Sequence, residues 1–165
     1  MNAASMMSTG IMTLTPDKTV GDVVKLFFEQ RIRQVPVVNE ENVVLGVITS
    51  RILLRTILPG YIREGFLKDV RFAPELRQFV ENMDALKDKP LSGFINKYKP
   101  ASPDYAFVGP ETSAMEIAAL FVNTEIFVDR ILVVDNKKRL LGIISPIDIF
   151  RNLWKQSEKD SPEKD

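Results

Sequence analysis

One phrase occurs twice in this chain, and that duplication restricts its possible folds more than any other feature. Near the C-terminal end it reads Gly142-Ile143-Ile144-Ser145-Pro146-Ile147-Asp148, and far upstream it reads Gly46-Val47-Ile48-Thr49-Ser50-Arg51-Ile52. In both, a glycine and two β-branched apolar residues lead to a hydroxyl side chain, the pattern of a strand running directly into a helix. Ser145 stands where an N-cap would be, with Pro146 at the first helical position, where its missing N–H costs nothing. Asp148 falls in the first turn.

Each copy can be followed backwards. Val37-Val38, a polar turn and Leu45-Gly46 in the first match Val133-Val134, a polar turn and Leu141-Gly142 in the second. Before them, Val20, Val23, Val24 and Phe27 occupy the i, i+3, i+4 and i+7 positions of a helix face, and Ala114, Ile117, Ala118 and Phe121 do the same. Pro16 and Pro110 precede the two helices. The spacing agrees apart from about two extra residues near Asn123 to Phe127.

This order of short strand, helix, two-stranded hairpin and helix, present twice, resembles the CBS domain pair (cystathionine β-synthase domains, or Bateman module). The resemblance runs roughly from Met7 to Trp154. It is carried by Met7-Ser8-Thr9-Gly10, Thr13-Leu14-Thr15-Pro16-Asp17, Val35-Pro36-Val37-Val38 and the two glycine-led phrases. The fold it implies is α+β, with tandem CBS repeats that each hold a small three-stranded sheet and two helices. The repeats pack about a pseudo-twofold axis, and a helical insertion separates them. The expected boundaries are 7–58 for the first repeat, 59–90 for the insertion, 91–154 for the second repeat and 155–165 for a charged, disordered tail.

Composition removes several function classes. The chain has 165 residues, 45% of them hydrophobic, enough for a real core. Its 22 basic and 22 acidic residues cancel, so no global field favours nucleic acid or an anionic membrane. With no cysteine and no histidine, thiol and imidazole chemistry and the corresponding metal ligands are excluded. No apolar run approaches the ~20 residues of a membrane helix, and Met1 to Met12 lacks the features of a signal peptide. A cytoplasmic protein is expected.

Taken in order, the residues before Met7 are expected to fray, and Gly10 to Thr15 to form a short strand. Thr19 is a cap for a helix ending near Gln30. Strands follow at Val35–Val38 and Val43–Ile48, and Thr49 caps a helix whose Ile52, Leu53 and Leu54 pack inward until Pro59-Gly60. In the insertion, Ile62–Lys68 and Glu75–Leu86 read as helices, and Leu67, Val70, Phe72, Leu76, Phe79, Val80, Met83 and Leu86 are too apolar for a plain linker. The bland reading is a helical excursion that completes the core or a dimer surface; the alternative is a lid. Pro90, Pro100 and Pro103 mark the return, and Leu91-Ser92-Gly93-Phe94-Ile95 stands where the resembled family has the entry to its second copy. Tyr105–Val108, a helix from Ala114 to about Asn123 capped by Thr112 or Ser113, a hairpin of Arg130–Val134 and Arg139–Ile144, and a last helix from Ser145 complete the chain.

A helix start presents unpaired N–H groups and partial positive charge, which suit a phosphate, and a carboxylate one turn in can accept from the two hydroxyls of a ribose. The resemblance implies clefts between the copies in which adenosine-containing ligands bind. There Ser145 and Arg130 would reach phosphate, Asp148 the ribose, and Ile143 would border the ring. The adenine would lie against Ser8-Thr9-Gly10 and Ile32-Arg33, mostly on backbone. In the second, weaker cleft Thr49 keeps the hydroxyl, but Ile52 stands where the acid should be, leaving at most an anion held near Arg51 or Arg55. The pair Ser145 and Asp148 is equally a capping box, with hydroxyl at the N-cap and acid at N3, and the sequence leaves the two readings open.

The function implied is a cytoplasmic sensor of energy or metabolite state that binds AMP, ADP, ATP or S-adenosylmethionine as a regulatory ligand, with no obligatory cofactor and no metal. The expected partners are a second copy in a homodimer and a regulated protein in trans, with no nucleic acid and no membrane. A structural dimerisation module with vestigial clefts is the alternative. An enzyme is not expected, because no glycine-rich phosphate loop and no paired carboxylates are evident.

Overall fold

The computed structural model describes residues 1–63, 76–97, 105–122 and 128–159. Leu67, Val70, Phe72, Pro100, Pro103 and the insertion near Asn123 to Phe127 lie outside the described residues. In chain order the elements are α1 (Ala3–Met6), α2 (Val20–Gln30), β1 (Gln34–Val38), β2 (Val44–Thr49), α3 (Ser50–Ile57), α4 (Gly60–Arg63), α5 (Leu76–Lys87), α6 (Leu91–Lys97), β3 (Ala106–Val108), α7 (Ala114–Val122), β4 (Ile131–Val134), β5 (Leu140–Ile144) and α8 (Pro146–Lys159). They form two compact units, one of Thr13–Glu40 with Leu45–Pro100 and one of Met1–Met12 with Glu41–Val44 and Ala101–Asp165.

The unit of the first repeat is built on α2. Thr19 accepts from the Asp22 N–H, and Asp22 accepts in return from the Thr19 N–H at 2.9 Å, a closed capping box. The predicted face of α2 points inward, with Val20 and Val23 fully buried and Val24 and Phe27 packed beside them. β1, buried along its length, pairs with β2. A full strand over Gly10–Thr15 does not form. Only Leu14 bridges to Val37, with its N–H on the Pro36 carbonyl and its own carbonyl accepting from Val38. Pro16 follows two residues later and Pro36 has no N–H to give, so the ladder cannot extend. In α3, Ile52, Leu53 and Ile57 are buried while Leu54 is 53% exposed, against the inward packing expected of it. Three successive helical residues sweep about 200° and cannot all face one core. The insertion contributes Leu86 of α5 to this core, and Leu91 and Phe94 of α6, from the expected entry to the second repeat, are buried in it as well.

The unit of the second repeat carries a three-stranded sheet in the order β3-β4-β5, with β3 parallel and β5 antiparallel to β4. Ile131, Val133 and Ile144 face a core shared with Val108, Ile117 and Ile149. Ser113 caps α7, its hydroxyl and amide both bound to the Glu116 carboxylate. The first six residues are ordered, contrary to the fraying expected of them. Ala3 and Met6 are buried in this core, and the Ala3 and Ala4 amides donate to the carbonyls of Thr112 and Pro110 at 2.8 and 2.9 Å. Apolar burial and satisfied amides offset the entropy of ordering a chain end. At the other end α8 runs on to Lys159, past the expected start of the tail, with the Trp154 indole N–H donating to Glu158 one turn later.

The two entry segments are therefore exchanged: α1, ahead of the first repeat, completes the core of the second, and α6, ahead of the second, completes the core of the first. This gives the glycine of each repeated phrase its reason. A Cβ on Gly142 would stand 2.7 Å from the Cβ of Met7, just after α1, and a Cβ on Gly46 would stand 3.0 Å from the Cβ of Ile95 in α6. Only a residue without a side chain lets the exchanged segment cross the strand there.

Candidate functional site

β5 is flanked on both sides within its unit. On one side Ile144 pairs with Ile131 and Ile143 with Leu132. On the other, the Ser8 N–H donates to the Ile143 carbonyl at 2.9 Å, and the Ile143 N–H donates to the Ser8 carbonyl at 3.0 Å. Continuing the β4–β5 register by one residue sets Arg130 opposite Ser145. Ser8 thus lies along the edge of β5 away from β4, whose entry carries Arg130, and Thr9 and Gly10 follow Ser8, both exposed, with Gly10 in the left-handed region at φ 75.

At that helix start, Ser145 donates its backbone N–H to Asp148 Oδ2 at 2.8 Å and its hydroxyl to the same oxygen at 2.7 Å. The hydroxyl donates here, so its lone pairs remain; Pro146 has no N–H and the Asp148 N–H donates to the Ser145 carbonyl at 3.0 Å, which leaves the Ile147 N–H as the first-turn amide for a ligand. Asp148 Oδ1 accepts from Arg151 Nη1 at 2.9 Å and, over a long 3.4 Å, from the Ser8 hydroxyl. Asp148 is 7% exposed, one of three buried polar residues among those described, with Gln34 and Thr49. Its two oxygens are unlike. Oδ2 is bound to groups the fold holds in place, whereas Oδ1 is bound to Arg151, whose side chain is 56% exposed, and to a distant hydroxyl. The Arg151 side chain can turn into solvent and the Ser8 contact is long, so Oδ1 is the atom that can exchange partners when another donor takes their place.

Of the residues expected at the site, Ser145, Asp148, Ile143, Thr9 and Gly10 are brought together in this unit, with Arg130 at the entry to β4. Ile143 is buried at 7% but stands outside the main core cluster, on the sheet face opposite Ile144. Ile32 and Arg33 belong to the other unit, in the link from α2 to β1, where the Arg33 carbonyl accepts from the Ser50 N–H at 2.8 Å. Thr49 is buried there as the cap of α3, accepting from the Ile52 N–H at 3.1 Å. Ile52 is a core residue, 5% exposed, so this place has a cap and no acid. Two partners of Asp148 go beyond the sequence reading: Arg151, three residues on, has a signal in its helical spacing, and Ser8, expected near the adenine through its backbone, turns its hydroxyl toward Asp148 across 140 positions. Among the described residues no group of three acidic side chains converges as metal ligands would.

Comparison with known proteins agrees with this architecture. The protein MJ1426 of Methanocaldococcus jannaschii, itself uncharacterized, is 26% identical over 148 residues, covering 83% of this chain and 82% of its own. Among solved structures, the Vibrio cholerae protein AcuB, named for acetoin utilization, aligns with a TM-score of 0.68 at 23% identity over 98% of both chains. CBSX2 in complex with AMP aligns with a TM-score of 0.64 at 18% identity over 94% of this chain and 98% of its own, and CBSX2 comes from Arabidopsis thaliana. The sequence model of the CBS domain matches residues 3–59 and again 97–155. Because one match falls on each copy of the repeat and the two together span most of its length, this chain belongs to the CBS domain family and carries the domain as a tandem pair.

Proposed function

We propose that this chain is a regulatory module that binds an adenosine ligand (AMP, ADP, ATP or S-adenosylmethionine) at the start of α8, and that it reports metabolite or energy state to a partner protein without catalysing a reaction. The observation that carries this reading is the divided use of Asp148. One oxygen is fixed by Ser145, and the other rests on partners that a ribose diol could replace, beside a helix start suited to phosphate. Ser145 and Arg130 would take the phosphate, Asp148 the ribose, and Ser8, Thr9 and Gly10 would border the base through their backbone. The AMP held by CBSX2 supports this class of ligand for a chain of the same fold. With Ile52 in the place of an acid, the first repeat would supply no ribose clamp. We infer a cytoplasmic setting; among the described residues no helix is long and apolar enough to cross a membrane.

Calorimetric titration of AMP, ATP and S-adenosylmethionine into the wild type and Asp148→Ala tests the reading. The wild type is expected to bind at least one of them, and Asp148→Ala to lose that binding while retaining its fold. If Asp148 serves only as a cap, the variant melts earlier yet binds as the wild type does, and the reading is wrong.

A second reading, compatible with the first, is favoured by α8 itself. Ile147, Phe150 and Trp154, at i, i+3 and i+7, are 61%, 66% and 68% exposed and form an apolar stripe. A second copy of the chain is the occupant we infer for it, which makes the module a homodimer.

A further inference from the structure

The insertion borders a concavity, open to solvent, that is unrelated to the repeated phrases. It has a volume of about 470 Å³ and lies where α4 and α5 meet the end of α3. Its polar lining among the described residues consists of Thr56, Arg63, Gln78, Asn82 and Lys89, and no carboxylate is among those described. Its walls are tied together. Asn82 of α5 donates to the Ile57 carbonyl at the end of α3 at 2.8 Å and accepts from Gln78 at 2.9 Å. Leu86, 4% exposed, forms part of the apolar floor. The two cations are rooted on fixed backbone. The Lys89 N–H donates to the Leu86 carbonyl and its own carbonyl accepts from Val20, while the Arg63 N–H donates to Pro59. The Arg63 guanidinium folds back over Gly60, where a side chain would meet Nη2 at 3.7 Å.

We propose that this cavity is a second ligand site, specific for a small metabolite bearing an oxyanion group, phosphate or carboxylate. Two positive side chains that line one concavity without a lining carboxylate leave it electropositive, although the chain as a whole is neutral. Arg63 offers the planar fork that matches an oxyanion and Lys89 a mobile point charge. The Thr56 hydroxyl donates to the Ile52 carbonyl at 2.7 Å and Asn82 is bound at both ends, so the Gln78 carbonyl oxygen and the second N–H of each carboxamide address the rest of a polar ligand. The volume falls within the ~300–1,000 Å³ of small-molecule sites and exceeds what a bare ion fills.

The test is titration of inorganic phosphate, pyrophosphate and citrate, at low and high salt, into four forms of the full chain: wild type, Arg63→Gln with Lys89→Gln, Ala85→Trp and Asp148→Ala. Saturable binding of at least one probe to the wild type is expected, and the choice between the phosphates and citrate identifies the oxyanion. It should weaken roughly tenfold or more in the double variant, the scale of a lost charge-assisted hydrogen bond, and weaken with added salt. Ala85→Trp, which fills the exposed wall of the cavity without changing charge, should abolish it. Asp148→Ala should bind the probe normally; what separates this site from the start of α8, where Ser145 and Arg130 would take phosphate, is its dependence on Arg63, Lys89 and Ala85. Binding of no probe to the wild type, equal binding to the double variant and to Ala85→Trp, or loss in Asp148→Ala would each overturn the proposal.

Discussion

Ser145 gives both its amide and its hydroxyl to one oxygen of Asp148, at 2.8 and 2.7 Å, so the carboxylate faces its own helix start with one edge and leaves the other edge open to exchange. Asp148→Ala would strand the Ser145 N–H and the Arg151 guanidinium, and a loss of about 1–3 kcal/mol in urea melts is expected. Arg151→Ala removes only the exposed partner. Because the Asp148 carboxylate is buried, this should cost about 1–3 kcal/mol of stability and leave adenosine-ligand affinity equal or higher, because Oδ1 is then released; weaker binding would show that Arg151 belongs to the binding machinery.

The first repeat is not expected to accept the missing acid. Ile52 is 5% exposed in the apolar core, so Ile52→Asp buries a carboxylate among aliphatic groups and deletes packing, at a cost of about 3 kcal/mol or more. Chemical denaturation should register this loss, and calorimetry should find no additional adenosine-ligand site. A stable variant with a gained site would mean that this helix start is open.

Gly142→Ala forces a methyl against Met7, whose Cβ stands 2.7 Å from the new group and whose sulfur and Cγ are also in the way. Relief requires shifting the segment that makes the Ser8–Ile143 pair, so a destabilisation of about 1–3 kcal/mol is expected. Gly46→Ala meets Ile95 at 3.0 Å and should cost less. Truncating Met7→Ala in the Gly142→Ala background frees only the outer part of the space, and a double-mutant cycle should return partial rescue.

Acid should weaken the caps of α2 and α7. The Thr19 backbone N–H, then its hydroxyl, hold the Asp22 carboxyl below the ordinary aspartate value, and the Ser113 hydroxyl, then its N–H, lower Glu116. A carboxylate depressed by folding contributes its stability above its unfolded pKa and loses it as pH falls through the folded one. Urea midpoints measured from about pH 6 down to about pH 2.5 should therefore fall at the acid end. The fall should be shallower in Asp22→Asn and Glu116→Gln; an unchanged slope in both would remove these caps from the pH dependence.

If a second copy covers α8, replacing Phe150→Asp and Trp154→Asp should convert a dimer to a monomer in sedimentation velocity with unchanged circular dichroism. Both side chains are more than half exposed in the single chain, so the fold does not need them. A wild type that sediments as a monomer would remove the dimer reading.

The sequence by itself determined the duplication, the placement of most elements, the caps at Thr19 and Thr49, the α7 cap as Thr112 or Ser113, and the unequal helix starts with Asp148 in one repeat and Ile52 in the other. Such features rest on interactions within about one helical turn or one strand repeat, and those intervals are written into the order of residues. Tertiary structure alone decided that α1 and α6 are exchanged between the repeats, that Gly142 and Gly46 let them cross, that the Ser8 hydroxyl turns toward Asp148, and that α3, α4 and α5 border an open concavity. None of these has a local signature: the N-terminal residues look like a tail until a core distant in sequence buries Ala3 and Met6. Contacts between remote segments depend on how whole faces pack, and no window of neighbouring residues records that.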